Sequence, residues 1–395
     1  MISVSEAKHT ITANCKTLSP ITIPLKYAAG LVLAKDVFAT EDIPSFNQSA
    51  MDGYAFCFND WQTNNILNIN GEVQAGTTKN ISAQKNEAIR IFTGAAIPEN
   101  TDTVVMQEKV IAANNLLTIH DELLKPGSNV RLKGSEIKKG ELALKQGSKL
   151  SPAAIGFLAS IGIMEVCVYP TPKIIIVITG NELQQPGETL QHGQVYESNS
   201  FTLKAVLQQM HINNVSIVFA KDNAAELKQI LATALTDCKL LLITGGVSVG
   251  DYDFVTAALE ECGVKKLFHK IKQKPGKPLY AGITKDQIVF GLPGNPSSVL
   301  TCFYEYVVPA IEQMMRVERS IIQKKILPLE GYYQKKAGLT HFLKAHCNDS
   351  KVSLLNAQES YRLSSFATAN CLLCLSENET TFQTGDMLEV HVLPY

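Results

Sequence analysis

The residues of this chain best suited to chemistry are glycines, lysines and carboxylates set at the ends of apolar runs. LLLITGGVSVGDYD at 240–253 carries four residues fit for a buried strand into Gly245-Gly246, followed by Ser248, Gly250, Asp251 and Asp253. Helix-like spacing starts just beyond, at Phe254-Val255 and Ala258-Leu259. A strand opening into a helix through glycines aims backbone N–H groups outward from the positive end of a helix dipole. That suits phosphate or another oxyanion, and the adjacent acids can hold a cation that the anion also needs. KIKQKPGKP at 270–278, with Lys270, Lys274 and Lys277, and GLPGNP at 291–296 are built in the same style. The working reading is one anion-and-metal site assembled from all three.

Other residues are candidates only in context. Asp52 sits between Met51 and Gly53 in SAMDGYA (49–55), where an Asx-turn is the plainer reading. Thr93 closes a strand-like run in RIFTGAAIP (90–98) and can donate to an oxyanion, although a bare Thr-Gly is usually a turn. Arg131 and Glu136 in NVRLKGSEI (129–137) read as a solvated loop, and Lys344 and Ser365 as unremarkable surface residues. The nine cysteines are dispersed, against a disulfide framework. Only Cys371 and Cys374 have metal-like spacing, without a second Cys/His pair, so core packing is expected of them.

The elements that must position these groups follow from the apolar pattern. From KIIIVIT at 173–179 onward, apolar strands alternate with helical segments: 200–210, a strand at 215–220, a helix at 224–235 capped by Asp222 or Asn223, then the 240–244 strand. A strand at 287–290 and a helix from 297 to about 314 complete the series. Strict β-α alternation predicts a doubly wound α/β domain, whose ligands bind beyond the carboxyl ends of its strands. The turns at 179–183, 220–222, 244–253 and 291–296 all fall at such ends. Short β-like runs from Trp61 to about 130 predict a compact β-rich domain, preceded by a loop over 40–55. Ser3 or Ser5 caps a first helix, and Ser151-Pro152 starts another. The segments flanking the β-rich run resemble each other. The expected division is therefore 1–44 with 134–170 as a discontinuous domain, 45–133 inserted, 171–319 α/β, and 320–395 a small C-terminal β domain.

At 395 residues, 45% hydrophobic and 18% charged, the chain is long enough for several well-cored domains. Its 36 basic and 37 acidic residues cancel, so no long-range field favours nucleic acid or an anionic membrane. No apolar run approaches a membrane span, and MISVSEAKHT lacks a signal-peptide layout, so the expected location is cytoplasmic.

SAMDGYA, RIFTGAAIP, NVRLKGSEI, TGNEL (179–183), TGGVSVGDYD (244–253), KPGKP (274–278) and GLPGNP occur in an order that resembles the MoeA family of molybdenum insertases, relatives of the gephyrin E domain. The resemblance implies α/β plus β architecture in an elongated, homodimeric subunit whose α/β domain binds molybdopterin. The partner's β-rich domain would face that site. It implies that adenylylated molybdopterin and molybdate react, molybdenum entering the dithiolene while the adenylate is hydrolysed to AMP, with Mg2+. A molybdopterin adenylyltransferase would act just upstream.

Carried over residue by residue, the resemblance gives Asp52, Glu182, Asp222, Asp253, Lys270 and Lys274 catalytic roles, with Glu182, Asp222 and Asp253 as Mg2+ ligands. Thr93, Arg131, Glu136, Gly245, Gly246, Ser248, Lys277, Pro293, Pro296, Lys344 and Ser365 fall at substrate positions, the last two at the molybdate site. Three departures stand out: Asn181 replaces an aspartate, Glu136 stands where aspartate is common, and Lys344 where arginine is frequent. A peptide-binding scaffold and the adenylyltransferase of the preceding step are the alternatives. The lack of a fused domain weighs against the first, and the roughly 240 residues beyond one α/β domain against the second.

Overall fold

The computed structural model describes residues 1–246 and 254–394. The chain forms two compact units: Met1–Ile21, Gly30–Ala34 and Cys167–Tyr395 make the first, Thr22–Ala29 and Lys35–Val166 the second.

The first unit is built on a six-stranded sheet ordered Val215–Ala220, Ile174–Thr179, Leu240–Thr244, Ile288–Leu292, Tyr280–Ile283, Lys265–His269. The first four strands are parallel. Ile174–Thr179 is buried along its whole length, as helices on both faces require. Ile174, Ile176 and Ile178 pack with Leu203 and Leu207 of the helix Asn199–Gln209. Ile175 and Val177 pack on the other face with Leu231 of Ala224–Asp237 and Leu259 of Phe254–Glu261. Asn223 is the cap, its side chain accepting from Ala225 and Glu226 N–H. Ser3 caps Val4–Asn14 in a capping box with Glu6, and Ser151 caps Pro152–Ser160 in the second unit.

Strict alternation ends after the helix Phe254–Glu261. Lys265–His269 and Tyr280–Ile283, too short and lysine-flanked to stand out in sequence, add antiparallel strands. Two antiparallel steps return Lys265–His269 to the direction of the parallel strands. The lysine-rich loop after His269 therefore leaves from the carboxyl rim. The helix expected from 297 is Pro296–Cys302, a π-helical turn Phe303–Val307 and then Val308–Met314. Pro309 has no N–H for the Glu305 carbonyl, and the wider turn lies at that point.

The C-terminal strands close on themselves: Thr340–Cys347, Val352–Leu354, Gln323–Glu330, Met387–Val392, Cys371–Leu375 and back to Thr340–Cys347. This barrel encloses Leu329, Leu343, Cys371, Leu373 and Val390. Gln273–Lys274 joins its edge, paired in parallel with Thr340 and His341.

The second unit holds a sheet ordered Thr103–Met106, Gly53–Phe56, Glu87–Ile91, Ile66–Val73, Leu116–Ile119, Val110–Ala113. The loop expected through Ala55 is overturned at Gly53, where a four-residue buried strand begins, too short to show alternation. A side chain at Gly53 would sit 1.8 Å from the Val105 carbonyl, so strand packing demands this glycine and not a tight turn. Trp61 lies in the helix Phe58–Thr63, edge-on to Phe56 and Phe58. Val37–Phe38 pairs with Leu142–Leu144, setting the flanks of the 45–133 segment side by side.

Candidate active site

Strand order reverses between Ile174–Thr179 and Leu240–Thr244, and a cleft of about 840 Å³ opens at their carboxyl tips. Thr179, Glu182, Gly245, Gly246, Lys274, Lys277, Pro293 and Pro296 all line it. The Thr179 hydroxyl donates to the Thr244 carbonyl, holding the two tips together. Gly245 has φ +85°, and a Cβ there would lie 2.3 Å from the Thr179 carbonyl, so only glycine fits this turn. Ser248, Asp251 and Asp253 lie outside the described residues.

The loop bearing Lys274 and Lys277 is fixed from beneath. Gln273 is fully buried; its amide donates to the Pro275 carbonyl at 2.8 Å, and its side-chain oxygen accepts from the Tyr306 hydroxyl. Gly276, at φ +87°, packs against Cys302, whose thiol a Cβ would meet at 2.4 Å. Both lysines are left exposed on the cleft wall. Lys270 and Asp222 are not among the lining residues.

Sequence reasoning missed several groups here. Glu197 is 2% exposed, lines the cleft and caps the following helix, accepting from Ser200 N–H at 2.7 Å. Its only signal is the Glu-x-x-Ser at 197–200, where the expected helical segment 200–210 begins. Asn199 and Thr244, also in the wall, keep a buried side-chain oxygen without a hydrogen-bond partner among the described residues. Buried polar atoms need partners, and at a cleft a bound polar ligand supplies them.

The second unit gathers the remaining candidates. The Asp52 carboxylate accepts from Thr93 N–H at 2.7 Å and from its hydroxyl at 2.8 Å. These bonds, the backbone one foremost, hold its pKa below the usual carboxylate value. Gly94 N–H donates to the Ser49 carbonyl, and Ala50 N–H to that of Asn129, stringing the three loops together. Arg131 and Glu136 line a shallow cavity of about 570 Å³ with Ser45 and Gln48.

Three family models match in order. "MoeA N-terminal region (domain I and II)" matches residues 2–162, "Probable molybdopterin binding domain" 175–313, and "MoeA C-terminal region (domain IV)" 327–393. A molybdopterin molybdenumtransferase of Haemophilus influenzae is 36% identical over 96% of each chain. The chain belongs to the MoeA family. A second enzyme of that name, from a Nostoc species, is 37% identical over 94% of this chain and 88% of its own. The crystal structure of a molybdopterin biosynthesis MoeA protein from Pyrococcus horikoshii superposes with TM-score 0.80 at 27% identity, covering 99% of this chain and 100% of that one.

Two of the positions expected to depart from the resembled motifs have structural consequences. Asn181 and Asp222 exchange hydrogen bonds at 3.2 Å, Asn181 N–H to the Asp222 carboxylate and Asp222 N–H to the Asn181 side-chain oxygen. An aspartate at 181 would set two like charges at this joint; asparagine keeps the acceptor without the repulsion.

Lys344 is 2% exposed, not a surface residue, and its ammonium donates to the carbonyls of Ala357, Glu359 and Arg362. Ser365, 8% exposed, donates to Ala357 as well. Neither lines the cleft; both brace the turn whose Gln358, Ser360 and Tyr361 do. Ser360 in turn accepts from the Asn295 amide of GLPGNP.

Proposed function

We propose that the chain is a molybdenum insertase: it binds adenylylated molybdopterin and molybdate in the cleft, and the two dithiolene sulfurs bond to molybdenum as one oxo group leaves with their protons as water. The adenylate is hydrolysed to AMP as water attacks phosphorus and the phosphoanhydride bond breaks. The single observation that carries this reading is that the Gly245-Gly246 turn and the Lys274–Lys277 loop line one cleft. Molybdate is a dianion meeting a substrate that already bears phosphates, so fixed cations and N–H donors must offset the repulsion. Lys274 and Lys277 supply that charge, held by Gln273 and Gly276. The family membership and the names of the relatives support the same assignment.

Glu182 in the cleft wall offers a hard oxygen donor that suits Mg2+, and Asp222, outside the lining but hydrogen-bonded to the neighbouring Asn181, would be the second; Mg2+ needs only one or two carboxylates when phosphates supply further ligands. When bound, it would neutralise charge on the cleaved anhydride. Lys270, outside the cleft lining, would act through the loop it begins. In a homodimer, the loops bearing Asp52, Thr93, Arg131 and Glu136 of a second copy would complete the cleft. We place the enzyme in the cytoplasm, downstream of a molybdopterin adenylyltransferase. The test is mass spectrometry of the pterin product after incubation with molybdate. Molybdenum-loaded molybdopterin is expected; a recovered, unmetallated adenylate would overturn the reading.

A further inference from the structure

The Cys371-Leu-Leu-Cys374 pair cannot clamp one ion. In the strand Cys371–Leu375 an offset of three puts the two thiols on opposite faces. Cys371 points into the barrel core, whereas Cys374 faces the other way. On that second face the register sets Cys374 directly opposite Glu389, and Leu372 opposite His391. Glu389 and His391 are two residues apart, so both side chains emerge beside the Cys374 thiol. The Cys374 sulfur, a Glu389 carboxylate oxygen and a His391 ring nitrogen lie within 4.8 Å of one another.

The surroundings resemble an outer coordination shell. His391 is 1% exposed, and its Nδ1 lies 2.6 Å from Glu305, a carboxylate 2% exposed and paired with Lys8. Metal-bound histidines almost always give their other N–H to such a carboxylate, which fixes the ring and its free nitrogen. That nitrogen, Nε2, faces Glu389 at 2.6 Å. Glu389 is half-exposed, with Lys324 at 2.8 Å as its present countercharge, so a metal has both an entry path and a charge to replace.

We propose that Cys374, Glu389 and His391 form a zinc site, with Glu305 as the outer partner of His391. Thiolate, imidazole and carboxylate together select Zn2+, and three protein ligands leave a fourth tetrahedral position for water. Tetrahedral donors stand about 3.5 Å apart, so Glu389 must swing out by about 1 Å. Zn2+ takes the Cys374 sulfur as thiolate, the thiol proton leaving to solvent, and the Nε2 lone pair of His391. The ion would tie two barrel strands to the Glu305 turn and, through Lys8, to the first helix. It takes no part in the reaction of the cleft.

The experiment is a titration of the tag-free, chelator-treated full chain with Zn2+ against a chromophoric chelator. One ion per chain is expected, with affinity at least tenfold weaker in Cys374→Ser and in His391→Gln. Cys374→Ser is near-isosteric and keeps the fold testable by circular dichroism. Cobalt substitution should give a thiolate-to-cobalt charge-transfer band in the wild type that Cys374→Ser removes. No stoichiometric zinc in the wild type, or unchanged zinc affinity in Cys374→Ser, overturns the proposal and leaves the cluster an ion-pair network.

Discussion

Lys344 and Ser365 donate to one acceptor, the carbonyl of Ala357, at 2.7 and 2.8 Å. Two residues expected to touch molybdate are thus spent on the backbone of the turn that carries Ser360 and Tyr361 into the cleft wall. Lys344→Met strips three buried carbonyls of a charged donor, which should cost about 2–4 kcal/mol of stability by denaturant titration. An unchanged midpoint with lost molybdate affinity would instead mean that the ammonium acts on the anion directly.

Gln273 and Tyr306 set the height of the Lys274–Lys277 loop. Tyr306→Phe removes the hydroxyl that Gln273 accepts from, at a cost of about 1–2 kcal/mol. The apparent KM for molybdate should rise several-fold while kcat stays near wild type, because the lysines are displaced and not removed. A fall in kcat with KM unmoved would sink the positioning role.

Asp52 owes its lowered pKa first to Thr93 N–H and second to the Thr93 hydroxyl. A depressed carboxylate stabilises the fold above its unfolded value and loses that contribution as pH falls through the folded one. Thr93→Ala keeps the backbone donor, so most of the shift should survive. Carbon-detected NMR should place Asp52 below the ordinary value of 3.8 in both proteins, and higher in the variant. A full return to the ordinary value would assign the effect to the hydroxyl.

His341 pairs in register with Lys274, and its Nδ1 lies 3.2 Å from the Tyr333 hydroxyl. Burial, then Lys335 and Lys274, push its pKa down to about 4. The unfolded ring binds its proton near pH 6.5 and the folded ring does not. Stability therefore falls as pH drops from about 6.5 to about 4, by at most about 3 kcal/mol. His341→Gln should flatten that part of the stability profile; an unchanged slope contradicts the assignment.

The doubly wound strands, caps and rim turns were legible because buried β-branched runs, Asn223, Ser3 and Gly245 each carry a local signal. Gly53–Phe56 and the antiparallel Lys265–His269 and Tyr280–Ile283 were not, because glycine or lysine interrupts each short strand and leaves neither an apolar run nor a period to read. Cys374, Glu389 and His391 were hidden for a different reason: cross-strand register joins residues that sequence holds 15 and 17 positions apart. Gln273 among lysines carried no sign of its burial, and Lys344 read as a surface residue, because neither residue type announces burial.

AMP release from adenylylated molybdopterin as a function of molybdate, in the wild type and in Lys274→Ala, decides whether the cleft lysines serve metal insertion. AMP should appear in step with molybdenum insertion, and the variant should need about tenfold more molybdate for half the maximal rate, the about 1.4 kcal/mol of one charge-assisted contact. AMP release that ignores molybdate, or an identical requirement in both proteins, would rule out insertion at the Lys274–Lys277 loop.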